Sequence, residues 1–407
     1  MKKLSITILT LFIMFFYSEA FCCTSGIFTG KVTADGRPLL WKHRDTDDLN
    51  NRIEYFKGDK YSFIGLVNSS SKGGEVWGGT NSEGFSIINT ASYNLKEKGD
   101  KTPESKMNRE GIIMYEALGR CKNLSDFEQF LNKYKTPIVV EANFGVVDAA
   151  GGAAYYEVNN TKWTKTDVND PKIAPQGYIV YTNYSYTGRI DEGMGYIRYT
   201  TADNTIKKRI ACGGKITPEW IYSALSRSFY NSVLDIDLTK ENFIKKGNGI
   251  FVDQDFIPRK SSASSLIFQG VKEDETPLNT IMWAVLGYPP VSVAVPLFVK
   301  AGENQPSFMT KSQSSNNSLM CDMALKVKNS NVFTINRGNG GKYFNFGFLY
   351  KGNGKGFMEK IEKIENKVFE VSNEFIKENR NKPYEKEDYD SLYDTIFKMI
   401  ERGYTSF

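Results

Sequence analysis

Cys23-Thr24-Ser25-Gly26 begins one strand-like run, and Pro38-Leu39-Leu40-Trp41-Lys42-His43 forms another that ends at the polar stretch Arg44-Asp45-Thr46-Asp47-Asp48. Between them lies Thr33-Ala34-Asp35-Gly36-Arg37, rich in turn-forming residues. Antiparallel pairing of the two strands carries the end of the second to the start of the first. Arg44 is therefore expected beside Cys23. Composition alone would read the 44–48 stretch as a solvated polar turn.

Upstream, Lys2 and Lys3 precede an apolar run from Ile6 to Tyr17 and then Ser18-Glu19-Ala20. This is the plan of a secretory signal, and the apolar run is too short to span a bilayer. Two registers satisfy the small-x-small rule for cleavage. One cuts before Phe21; the other uses Ala20-Phe21-Cys22 and leaves Cys23 as the new N-terminus, which trimming after the first cut would also reach. An exported protein, cleaved near residues 20–22, is expected. Phe21 and Cys22 argue against a lipid anchor, which usually follows a small residue. No later stretch approaches about 18 consecutive apolar residues, so no membrane span is expected.

The 407 residues are 40% hydrophobic and 14% aromatic, enough for a large core. The net charge of +5 comes from 52 basic and 47 acidic residues with no long like-charged run, so nothing marks a nucleic-acid partner. Once Cys22 leaves with the signal, Cys121, Cys212 and Cys321 remain besides Cys23, allowing one disulfide at most. With His43 the single histidine and no CxxC pair, a zinc site of Cys and His ligands is not expected.

From Thr24 to about Val168 the pattern predicts strands at 26–32, 38–43, 61–67 and 84–89, helices at 111–117 and 124–134 with Ser125 as cap, and a hairpin of 144–147 with 153–158. A strand at 178–182, helices at 194–206 and 218–228, and a strand-rich block at 264–298 follow. The tail differs. Phe357, Ile361, Ile364, Val368, Val371 and Phe375, then Tyr389, Leu392, Ile396 and Met399, recur at helical spacing on either side of Pro383. A helical hairpin over 351–407 is expected, packed on the main body or on a second subunit. The whole reads as a mixed α and β layered sandwich.

A cysteine or serine hydrolase of the common kind needs an imidazole to take the nucleophile's proton, and His43 sits between Lys42 and Arg44, which oppose its protonation. A cysteine at the chain's own terminus needs no histidine. Its α-amino group, with a pKa near 8, can act as base, and a nearby guanidinium favours the thiolate. Arg44 suits that role, and Asp45 or Asp47 is placed to hold the amino group.

Cys23-Thr24-Ser25-Gly26, Thr33 to Pro38 and Trp41 to Asp47 resemble the opening of the Ntn hydrolases grouped with carcinine hydrolase and isopenicillin-N acyltransferase. More distantly they are similar to penicillin V acylase and the bile-salt hydrolases, whose Cys-Thr start and Arg-x-x-Asp match Cys23, Arg44 and Asp47. Gly79 to Phe85 resembles the family's Asn-x-x-Gly turn, after which Asn89, or alternatively Asn94, stands for the asparagine of the oxyanion hole. Tyr181-Thr182-Asn183 resembles the active-site Thr-Asn step, and Arg198 a later active-site arginine. The segments 264–268, 280–283, 287–289 and 295–297 resemble late core strands.

The resemblance implies an α+β fold, a four-layer αββα sandwich over 23–350 with the C-terminal helices appended. It implies attack of Cys23 on a linear amide of a small-molecule substrate, an oxyanion held by Asn183 or Asn89 with backbone N–H groups, and a thioester acyl-enzyme hydrolysed by water. No metal or organic cofactor is required. An acyltransferase using the same site, or an inactive exported binding protein on the same fold, are the alternatives. Tyr93, Phe144, Tyr184 and Tyr186 are candidates to line an acyl pocket.

Overall fold

The computed structural model describes residues 22–405 apart from 241–242, 244–248, 314, 336 and 338–340. The apolar run and cleavage motif ahead of Cys22 lie outside the described residues.

Two antiparallel sheets form the centre. The first has six strands: β1 (Thr24–Phe28), β2 (Leu39–Asp45), β10 (Tyr178–Tyr181), β11 (Ser262–Gln269), β12 (Ile281–Leu286) and β13 (Val295–Phe298), in the order β10-β1-β2-β11-β12-β13. The second has seven in sequence order: β3 (Asn51–Lys57), β4 (Ser62–Asn68), β5 (Gly79–Asn81), β6 (Ser86–Ala91), β7 (Ala142–Val147), β8 (Ala153–Val158) and β9 (Trp163–Asp167). Strands β1 and β2 lie face to face with β6 and β7. Both central strands are buried throughout, as sheets covered on two sides require.

Helices α1 (Glu110–Arg120) and α2 (Leu124–Lys133) cover the outer face of the seven-stranded sheet, with Phe63, Phe85, Ile113, Phe127 and Phe144 in their shared core. Asn123, not Ser125, caps α2, because its side chain accepts from Asp126 N at 2.9 Å. On the other sheet α3 (Tyr196–Ala211) packs against β10. The helix expected over 218–228 is one α-turn, Pro218–Ile221, continued by a wider turn at Tyr222–Ser226.

After α4 (Leu319–Val327), the tail forms α5 (Phe357–Asn379) and α6 (Lys386–Thr405), which pack on each other. Their apolar stripes join the core of the six-stranded sheet: the Phe369 ring packs at a tilt against Trp283 of β12 with centroids 4.4 Å apart, and Tyr393 Oη donates to Pro296 O of β13 at 3.1 Å. Glu365 of α5 takes both Nη groups of Arg227 at 2.6 Å in a buried fork. The architecture is thus helix, sheet, sheet, helix, with the tail helices in the fourth layer. Among the described residues no helix is long and apolar enough to cross a membrane, and all five cysteines are free.

Candidate active site

The site follows from one register. Thr24 pairs with His43 and Ser25 with Lys42, so Cys23 lies opposite Arg44 and Cys22 opposite Asp45. Alternation along β2 then divides its side chains between two faces. Leu40, Lys42 and Arg44 point into the space between the sheets; Trp41, His43 and Asp45 point toward the helix layer, where Trp41 Nε1 donates to Ser226 Oγ and Ser265 Oγ.

His43 is therefore on the wrong face to serve Cys23. Its Nε2 lies 2.9 Å from Ser262 Oγ and 3.6 Å from Asp45 Oδ1, and the ring is fully buried. Burial, reinforced by Arg259, Arg198 and Arg227, holds its pKa down at about 3. The imidazole is neutral and structural.

Cys23 is buried at the head of β1, its sulfur 3.9 Å from Asp45 O. Arg44, also buried, stacks on Trp77 at 4.9 Å and donates through Nη2 to Asn68 Oδ1 at 2.8 Å. Its Nη1 is sealed from solvent with no hydrogen-bond partner among the described residues. Burial pulls the Arg44 pKa down to about 10, and the neighbouring Cys23 is the main influence raising it back. A guanidinium with an unspent N–H thus lies within electrostatic reach of Cys23.

On the opposite side stands Arg198, from the first turn of α3 and wholly buried. Its Nη1 donates to the carbonyl oxygen of Cys23 at 2.6 Å and to Thr24 Oγ1 at 2.8 Å, while Nη2 donates to Asn183 Oδ1 at 3.1 Å. Asn183 in turn donates through Nδ2 to Ala91 O at 2.9 Å, at the end of β6. One guanidinium thereby joins the Cys23 backbone to Asn183 and both to the second sheet.

Asn89 of β6 reaches the site through Lys42, whose Nζ donates to Asn89 Oδ1 at 2.7 Å. Asn94 does not. Its oxygen accepts from Ser92 Oγ and Ser185 N, and its nitrogen donates to Ser185 O and Arg189 O, so the amide is spent on tying two loops together.

The aspartates differ from the Arg-x-x-Asp expectation. Strand β2 runs on to Asp45 and only then turns, leaving Asp47 exposed with Thr46 Oγ1 as a long neighbour at 3.4 Å. Asp45 is buried among Ser262 Oγ (2.7 Å), Arg259 Nε (3.3 Å) and His43. Burial pushes its pKa up to about 6 against the lowering pull of Arg259 and Arg198. Asp45 is the carboxylate beside the chain at Cys22; Asp47 is exposed and reaches the site only as a charge acting on Arg44.

Of the six residues singled out in the sequence, Cys23, Arg44, Asn183 and Arg198 converge, whereas Asn89, paired with Phe144 across the strands, is linked to them only through Lys42. Lys42 and Arg259 are additions that sequence reasoning missed, and of the two aspartates it left open, Asp45 is the buried one. Phe144 faces α2 and Phe127, away from the space between the sheets. Tyr184 and Tyr186 join Tyr196 and Tyr199 in an aromatic cluster where Tyr186 and Tyr196 are exposed, next to Met194, whose sulfur touches Cys22 at 4.0 Å.

No family model matches the chain, and no curated protein matches it in sequence. Solved structures of similar shape include the Caenorhabditis elegans ortholog of N-acylethanolamine-hydrolyzing acid amidase, 13% identical with a TM-score of 0.40 over 63% of this chain and 93% of that one. A conjugated bile acid hydrolase from Clostridium perfringens is 12% identical, with a TM-score of 0.41 over 68% of this chain and 92% of that one. Penicillin V acylase from Agrobacterium tumefaciens is 10% identical, with a TM-score of 0.38 over 68% and 86%.

Proposed function

We propose that the chain is an exported amidohydrolase in which Cys23, freed as the N-terminal residue, cleaves a linear amide through a thioester. The observation that carries this reading is the convergence on Cys23 of Arg44 across one strand pair and of Arg198 and Asn183 from far along the chain. A structural cysteine needs no such company.

Each residue then has a task. The α-amino group of Cys23, released from its peptide bond to Cys22, takes the thiol proton, directly or through a water. Asp45, whose charge acts on Cys22, receives the resulting ammonium, the task the motif assigned to Asp47. Arg198 fixes the Cys23 carbonyl, and with it the direction of the side chain. As sulfur attacks the amide carbon, negative charge gathers on the carbonyl oxygen, where Asn183 Nδ2 and backbone N–H groups serve as donors. The amine leaves with a proton from the α-ammonium; water, deprotonated by the same amine, then hydrolyses the thioester.

Acid quenching of the processed protein during incubation with a panel of acyl p-nitroanilides tests the reading. An acyl mass increment on the Cys23 peptide, lost in Cys23→Ala, supports it. Equal turnover by Cys23→Ala defeats it.

A further inference from the structure

Arg198 carries a wholly buried charge, which is costly to keep without a counterion. Among the described residues one carboxylate stands at ion-pair distance from it: Asp255 Oδ1, 3.4 Å from Arg198 Nε. That Nε makes no hydrogen bond among the described residues, so the pair works through charge. Burial and the like charge of Arg259 draw the Arg198 pKa down, while Cys22, Asp255 and Asp45 act to raise it.

Asp255 lies in the loop that leads into β11 and takes a φ of 57°, a left-handed conformation that Asp and Asn accept more readily than other side chains. Its N–H donates to Asp253 Oδ1 at 2.9 Å, and its Oδ1 accepts from Arg259 Nη2. Arg259 is tied in turn to β11, its backbone N–H donating to Ser262 Oγ at 2.9 Å. Local strain of this kind persists where the surroundings demand it. The same Asp255 oxygen thus stands between two guanidiniums, and one of them, Arg198, reaches the carbonyl oxygen of Cys23.

We propose that Asp255 is a positioning residue of the active site, whose carboxylate, set between Arg198 and Arg259, keeps Arg198 aimed at the Cys23 carbonyl and at Asn183. The assignment rests on the amidase reading and adds to it a residue that no motif singled out. Without the carboxylate the two guanidiniums repel each other, and Arg198 is free to leave the Cys23 carbonyl.

The test is made on the processed full chain, with the acyl p-nitroanilide that the wild type turns over fastest. Asp255→Asn keeps the shape and tolerates the positive φ but loses the charge; it is expected to lower kcat by about tenfold to a hundredfold, with KM changed less than about threefold. Asp255→Asn combined with Arg198→Lys is expected to be no slower than the slower of the two single variants, because the carboxylate acts through that guanidinium. Asp255→Gly accepts the backbone and opens the place of a side chain that is 30% exposed. Added formate is expected to restore its kcat severalfold, and chloride at the same ionic strength to restore none. If Asp255→Asn does not fold, the Asp255→Gly arm decides. Variants within about threefold of wild type, losses that multiply, or formate no better than chloride overturn the assignment while the amidase reading stands. Wild type that turns over no amide and gains no acyl mass on Cys23 removes the reading and the assignment together.

Discussion

Arg198 Nη1 lies 2.6 Å from the carbonyl oxygen of Cys23, a contact between residues 175 positions apart. A helix that caps the six-stranded sheet thus holds the backbone of the residue proposed as nucleophile. Arg198→Ala leaves that carbonyl, Thr24 Oγ1 and Asn183 Oδ1 without their donor in a buried site, and a loss of about 3–5 kcal/mol in urea unfolding is expected. Arg198→Lys keeps a charge but cannot fork between the partners. It is expected to retain more stability while lowering kcat on the order of tenfold to a hundredfold through misplacement of Cys23.

His43→Gln separates the N-terminal base from an imidazole base. Because His43 serves Ser262 on the far face of β2, its replacement is expected to cost about 1–2 kcal/mol in thermal unfolding. The kcat of the processed chain should stay within about threefold of wild type. A loss of about a thousandfold would restore the Cys-His dyad.

Asp45→Asn and Asp47→Asn distinguish the carboxylate that serves the site. Asp47 is exposed, and its replacement is expected to change stability by less than about 0.5 kcal/mol. Asp45→Asn removes the partner of Arg259 in a buried cluster, so a loss of about 3 kcal/mol is expected together with a shift in the pH profile of kcat/KM. Equal effects of the two substitutions would contradict the placement.

Lys42 makes stability depend on pH in a calculable direction. Its pKa is about 7 in the folded chain against an ordinary 10.5, so between these values the unfolded chain binds a proton that the native chain does not. Stability from this group therefore rises with pH across that window, by up to about 1.4 kcal/mol per pH unit, and its full cost is present below pH 7. The melting temperature of wild type minus that of Lys42→Met is expected to climb from pH 7 to 10. A flat difference would contradict the buried ammonium.

The strands and helices with strong periodicity were legible in the sequence, and the misses have a common cause. Strands β3 and β9 are the two edges of the seven-stranded sheet, and their residues include Arg52, Glu54, Lys57, Lys165 and Asp167. Charged edges resist further pairing and erase the alternation that marks a strand. Cys23 and Arg44 were legible because strand pairing is local. Lys42 was not, and Asp45 could not be told from Asp47, since a sequence does not distinguish a buried charge from one in a solvated turn. Asp47 fits the motif's spacing, but β2 ends two residues before it.

Most directly, the mass of the N-terminal peptide of the protein secreted by a native-type host, with and without iodoacetamide, tests the claim that Cys23 is the nucleophile. The expected result is a free amine on Cys23 with residues 1–22 absent and a thiol that accepts one carbamidomethyl group. A terminus at Phe21, or a blocked or lipidated cysteine, would remove the base from the site and contradict the account.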